Sequence, residues 1–122
     1  MAEPLLLMQR RLAIRLLHEA QLAGERPFTA VVGARGEPDT MLLLEEGALA
    51  SGVAQLTKHG RSLWAIYLHR PGQPTQPTAA DFAEQPQALR LTASLATKGV
   101  LQLRAWTCEG GKVREREMDI KD

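Results

Sequence analysis

Asp81 has the clearest local chemistry in this sequence, because it stands three positions after Thr78 in Pro77-Thr78-Ala79-Ala80-Asp81. Thr-x-x-Asp reads as a capping box at a helix start: the threonine oxygen accepts from a backbone N–H, and the carboxylate reaches back. Other chemistry-bearing residues are scattered. His18, His59 and His69 fall on separate segments with no HxH or HExxH spacing, so each reads as a surface or packing residue. Cys108 lies inside a predicted strand with no sign of activation and reads as a buried thiol. Ser51, Ser62 and Ser94 lack the context of a nucleophile elbow. Gly33-Ala34-Arg35-Gly36 reads as a turn, since no GK[ST] follows it. The spacing of Pro71, Pro74 and Pro77 fits a loop held between two elements better than a polyproline ligand.

The element that must position Asp81 is the stretch before it. Leu63 to Leu68 is an unbroken apolar run with aromatic and β-branched members, which predicts a strand central in its sheet and covered on both faces. Arg70-Pro71 stops it, and the proline-rich loop leads to a short helix over about Ala79–Gln85, ended by Pro86. In a strand, Leu68 and Arg70 share one face and His69 takes the other.

Around this core the chain reads in order. Pro4 to about Ala23 has the helical recurrence of Leu5, Met8, Leu12, Leu16 and Ala20, with Gly24 at its end. Phe28–Gly33 and Thr40–Glu45 read as an antiparallel pair, turned at the residues around Gly36 and Pro38. Ala48–His59 reads as a helix weakened by Gly52. Leu89, Leu91, Ala93 and Leu95 alternate with Arg90, Thr92 and Ser94, as in a half-buried strand. Val100–Cys108 is another strand, and Gly110-Gly111 turns it into a last, charged edge strand over Val113–Ile120. The expected fold class is therefore α/β: one domain over residues 1–122, a mixed sheet with helices packed against it.

The totals set bounds. A chain of 122 residues suits one core. A net charge of +1 gives no electrostatic case for nucleic acid or an acidic membrane. One cysteine cannot form an internal disulfide, which favours a reducing, cytoplasmic setting. No apolar run approaches the roughly 20 residues of a membrane span. The charges of MAEPLLLMQRRLAIRLL follow its apolar run rather than precede it, which does not fit a signal peptide.

The Pro71-to-Asp81 stretch resembles the metal-binding signature of the JAMM/MPN metalloprotease family: His-x-His-Pro, five residues, then Pro-Ser-x-x-Asp. Here the frame is Pro71, five residues, Pro77, Thr78, two alanines and Asp81. The element order and the run LQLRAWTCEGGKVREREMDI resemble the small bacterial members. The resemblance implies a JAMM/MPN-like, cytidine-deaminase-like fold along almost the whole chain. It also implies a zinc site whose ligands are replaced, with Leu68 and Arg70 where the two histidines belong and only Asp81 kept. Registering the family's catalytic-glutamate pattern on His18 and Gly33 puts Arg26 at the glutamate, with Glu25 one residue away. Catalytic zinc wants three protein ligands and an open position, and one carboxylate does not meet that need.

The resemblance therefore implies a catalytically inactive JAMM/MPN-like domain acting as a binding or assembly module, with no cofactor. The partner implied is a protein, such as a ubiquitin-like or sulfur-carrier tail, held in a vestigial cleft of Arg26, Leu68, Arg70, Thr78 and Asp81. In that frame Asp81 faces Arg70, whose guanidinium is expected to replace the metal, with Arg26 joining to leave the cleft positive; the alternative is an Arg70 that points into solvent at the strand end. The alternative is an active zinc-dependent peptidase whose site is aligned differently. A third reading is an unrelated small α/β domain. The wide apolar sector of the first helix, with Leu6, Ile14 and Leu17, further suggests a homo-dimer surface.

Overall fold

The apolar run at residues 63–68 lies where its composition demands, inside a sheet with a helix on each face. The computed structural model describes residues 5–44, 48–95 and 101–121. Along the chain come β1 (Leu6–Gln9), α1 (Arg10–Ala23), β2 (Phe28–Arg35), β3 (Glu37–Leu44), α2 (Leu49–Lys58) and β4 (Ser62–His69). A 3-10 helix (Ala79–Phe82) follows, then β5 (Leu89–Leu95), β6 (Leu101–Glu109), β7 (Lys112–Arg116) and β8 (Met118–Lys121). Six strands form one mixed sheet in the order β3-β2-β4-β5-β6-β7, and β1 pairs with β8 in a separate two-stranded parallel sheet. Within the larger sheet only β4 and β5 run parallel.

Side chains alternate between the two faces and so divide the core. Ala30 and Val32 of β2, Ala65 and Tyr67 of β4, and Leu89 and Leu91 of β5 pack against Leu12, Ala13, Leu16 and Ala20 of α1. Val31 and Ile66 meet Leu56 of α2 on the other face. A register shift after Val32 lets Trp64 join the first cluster while its neighbour Leu63 joins the second. Gly33 sits at this bulge, where a Cβ would come within 2.6 Å of the Leu56 side chain, so glycine allows α2 to settle on β2.

Several expectations are corrected. The predicted helix from Pro4 begins only at Arg10, because Leu6–Gln9 pairs with Met118–Lys121; Leu6 and Met8 turn toward the core while Leu5 and Leu7 are exposed. A short apolar run fits either period, and a partner from the far end of the chain decides it. The single last strand breaks at Glu117: β7 stays on the sheet edge and β8 crosses to β1. The turn between β2 and β3 shrinks to Gly36. The helix over Ala79–Gln85 is only a 3-10 turn ending at Phe82. Pro4, Glu45 and Val100 lie outside the described residues. The Gly110-Gly111 hairpin forms as read, both residues having positive φ (58° and 79°).

Tyr67, the one tyrosine of the chain, is fully buried, and its hydroxyl has no hydrogen-bond partner among the described residues. Burial pushes its pKa up from 10.0 to about 12. Because burial disfavours the phenolate, the fold keeps its full stability with respect to this group below pH 10.0 and loses stability as pH rises toward about 12. Ultraviolet titration should show no phenolate signal near pH 10 while the chain remains folded. Tyr67→Phe should leave the melting temperature unchanged or raise it, since the hydroxyl contributes a desolvation cost of about 1–3 kcal/mol without return. A clear fall in melting temperature counts against an unpartnered hydroxyl.

Candidate functional site

Two cavities open at the carboxyl end of β4, and Leu68, His69 and Arg70 line both. The larger, about 740 Å³, lies on the α2 side between Phe28, Leu49, Ile66, Leu68 and the turn bearing Ala80 and Asp81. The smaller, about 400 Å³, lies under the loop at residues 71–75, against Ala20 of α1 and Gly24 just after it. Their position follows from topology. The parallel pair β4–β5 has to be joined by a long crossover, and a crevice is left outside the strand ends where the connection departs.

The expected Arg70–Asp81 pair is present. Arg70 donates Nη1 to Asp81 Oδ1 and Nη2 to Oδ2, both at 2.9 Å, in a two-pronged contact. The two side chains are 34% and 19% exposed, so the pair is neither deeply buried nor freely solvated. The Thr78 N–H also donates to Asp81 Oδ2 at 2.8 Å, which is the reach-back half of the capping box. The other half is present too, the Thr78 side chain accepting from the Asp81 backbone N–H. The Thr78 hydroxyl also donates to Asp81 Oδ2 at 3.2 Å. A carboxylate already facing a guanidinium draws the hydroxyl proton toward itself. Burial pushes the Asp81 carboxyl up, but Arg70 and then Thr78 outweigh it, so the group ends below its ordinary carboxylate range.

Arg26 does not join them. It is exposed in the turn before β2, and its guanidinium donates back to the Leu22 carbonyl at 3.4 Å, closing off the end of α1. Glu25 is exposed in the same turn and also away from the cleft. The expected excess of positive charge is therefore absent: Arg70 and Arg90 face Asp81 and Glu84 around a mainly apolar wall. His69 points to the opposite face, as strand alternation requires. Its Nε2–H donates to the Gly24 carbonyl at 2.9 Å, and its ring lies 4.9 Å from that of Phe28. His18 and His59 are exposed and far apart in the fold. Among the described residues no three His, Cys, Asp or Glu side chains gather as metal ligands.

Sequence reasoning missed Arg90. Alternation placed it on the exposed side of β5, yet it is 2% exposed. Its Nε donates to the Asp81 carbonyl at 3.0 Å; Nη1 donates to Gln85 at 3.0 Å and Ala88 at 2.9 Å; Nη2 donates to Glu84. The guanidinium carbon also lies 4.7 Å from the centre of the Phe82 ring. Thr92, expected outward too, is buried and accepts from the indole N–H of Trp106 at 2.9 Å. Arg90 faces inward because residues 77–88 cover this part of β5, with Pro77, Phe82 and Ala88 buried, and Thr92 is buried at the Trp106 indole. The one trace in sequence is a segment, 83–88, with no period of its own, whose carbonyls must find donors somewhere.

These contacts rank the expected costs of substitution. Arg90→Met should lower stability most, by about 3 kcal/mol or more, because it strands four buried or half-buried carbonyls. Arg70→Ala should cost about 1–2 kcal/mol, above a surface pair and below a fully buried one. Since the Asp81 pKa is depressed in the fold, its contribution is present above the ordinary carboxylate range and lost as pH falls through the folded pKa. Urea titrations at pH 7 and below pH 4 should therefore show the Arg70→Ala penalty shrinking in acid. An unchanged penalty there, or a larger cost for Arg70 than for Arg90, would contradict this ranking.

No protein-family model and no curated protein matches the chain. Among solved structures it is similar to protein DSY2949 from Desulfitobacterium hafniense, with a TM-score of 0.77 and 18% identity over 97% of this chain and 94% of that one. It is also similar to a protein from Salinibacter ruber, with a TM-score of 0.65 and 15% identity over 97% of this chain and 92% of that one. Likeness at these identities shows the fold alone. The chain shares a small mixed α/β architecture with these two bacterial proteins over nearly its full length.

Proposed function

We propose that the chain is a non-catalytic relative of the JAMM/MPN domains that binds the extended tail of a protein partner in the cleft beside β4. The observation that carries this reading is the two-pronged Arg70–Asp81 contact. In the resemblance, Asp81 is the one zinc ligand left, and here both its oxygens are occupied by a guanidinium. Leu68 offers no lone pair, and a protonated arginine offers none either. Zinc does not fit these residues. The resulting floor is an internally neutral ion pair, and the walls are apolar: Phe28, Leu44, Leu49, Ile66 and Leu68. A cleft of that kind suits aliphatic side chains on an extended segment, such as a ubiquitin-like or sulfur-carrier tail. The half-buried, unpaired Cys108 is compatible with a reducing cytoplasmic setting for such a partner.

Two measurements test the reading. Elemental analysis of the purified protein should find no stoichiometric zinc. In an NMR titration with a ten-residue peptide ending in a hydrophobic, diglycine-terminated tail, shifts should cluster at Leu49, Leu68 and Ala80. Leu68→Asp, placed at the cleft wall, should weaken that binding about tenfold or more while the fold persists. One zinc per chain, or peptide shifts scattered away from the cleft, would sink the proposal.

A further inference from the structure

The outer face of α1 has a pattern that the cleft does not use. Arg11, Ile14, Arg15, His18 and Leu22 recur at steps of three and four residues, on the side opposite the buried Leu12, Leu16 and Ala20. Ile14 and Leu22 are 59% and 61% exposed, the two highest values among the large apolar side chains described. Arg11 and Arg15 form no hydrogen bond or ion pair among the described residues. Glu19 is the single acid within the helix, and it lies to one side of this face.

The placement runs against local electrostatics. A helix N-terminus carries partial positive charge and favours Asp or Glu. α1 has no acid in its first turn, no side-chain cap at Gln9, and arginines at positions 10 and 11. For Arg11 no contact among the described residues offsets that cost. Exposed Ile14 and Leu22 form a ridge about 12 Å long, two turns and a little more, and Arg11 and Arg15, unpaired among the described residues, flank its Ile14 end. A second helix can lie along such a ridge at about 8–10 Å.

We infer that this face of α1 docks an acidic amphipathic helix of a partner protein. Charge decides between occupants. A second copy would set Arg11 and Arg15 against their own kind, and of the residues expected to form a homo-dimer patch, Leu6, Ile14 and Leu17, only Ile14 is exposed. Leu6 packs against the core, and Leu17 is half-buried. A bilayer would receive only two aliphatic side chains, since the main apolar side of α1 is committed to the sheet and cannot rotate outward. Nucleic acid would meet the arginines but leave Ile14 and Leu22 uncovered. Aliphatic side chains on a partner helix, flanked by Glu or Asp, satisfy both features at once. The surface is independent of the cleft, so either proposal can fail without the other.

The test uses the full chain and a 21-residue helical peptide with leucines seven and eight apart and glutamates between them. A copy with lysine for every glutamate is the control. The acidic peptide should shift the amides of α1 and weaken steeply with salt. It should lose about tenfold in affinity to Arg11→Glu/Arg15→Glu and to Ile14→Ala/Leu22→Ala, at unchanged melting temperature. Leu68→Asp, in the cleft, should leave it unaltered. Equal binding of the lysine peptide overturns the inference. So does tighter binding to vesicles of phosphatidylserine and phosphatidylcholine or to a 20-base-pair duplex, or a dimer in sedimentation that the Arg15→Glu change abolishes.

Discussion

A guanidinium taken out of water with no carboxylate bonded to it has to be compensated by dipoles, and Arg90 finds them in the carbonyls of residues 81, 84, 85 and 88. Those carbonyls belong to a segment without regular pairing of its own, so the need is mutual. The side chain gains partners, and an irregular stretch gains the donors that a helix or sheet would otherwise supply. Burial still pushes the guanidinium pKa down, with the Asp81 charge opposing it. The crossover from β4 to β5 is thereby pinned to the sheet from below, at the point where the only parallel pair of the larger sheet needs a cover.

The Arg70–Asp81 contact pins the same crossover from its other end. Arg90 holds the Asp81 carbonyl while Arg70 and Thr78 hold its carboxylate, so one residue is fixed through both backbone and side chain. This double hold places the wall of the larger cleft relative to Leu68 and Ile66. A preformed wall matters for binding, because a segment that enters it need not also order it. The same carboxylate completes the capping box with Thr78, so it fixes the start of the one tight turn at Ala79–Phe82 as well as the arginine.

Elsewhere the fold is tied by a second arginine fork, Arg61 on Asp39, at 2.8 and 3.1 Å, which joins β3 to the turn between α2 and β4. Lys121 and Gln9 both reach Glu37 at the start of β3, so the small β1–β8 sheet is latched to the edge of the larger one. Both ends of the described chain thus converge on β3, opposite in the sheet order to the charged edge strand β7. The outer face of α1 takes no part in any of these ties.

How much was legible in the sequence depends on how local the deciding interaction is. The apolar run at residues 63–68, the glycines closing the last hairpin, the end of α1 at Gly24 and the spacing from Arg70 to Asp81 are set by neighbours a few residues away. Each could be read directly. The fates of Leu6–Gln9, Arg90 and Thr92 could not, because each rests on a partner that only the folded chain brings near. A strand at residue 118 converts a helical start into a strand, and a covering loop turns an outward arginine inward. Arg26 shows the same limit from the other side: its charge suited the cleft, but the turn after α1 gives it the Leu22 carbonyl instead. Residue types and spacing determined which groups were available for the site. The crossover's path over β5, closed by backbone carbonyls that carry no sequence signature, decided which of them meet.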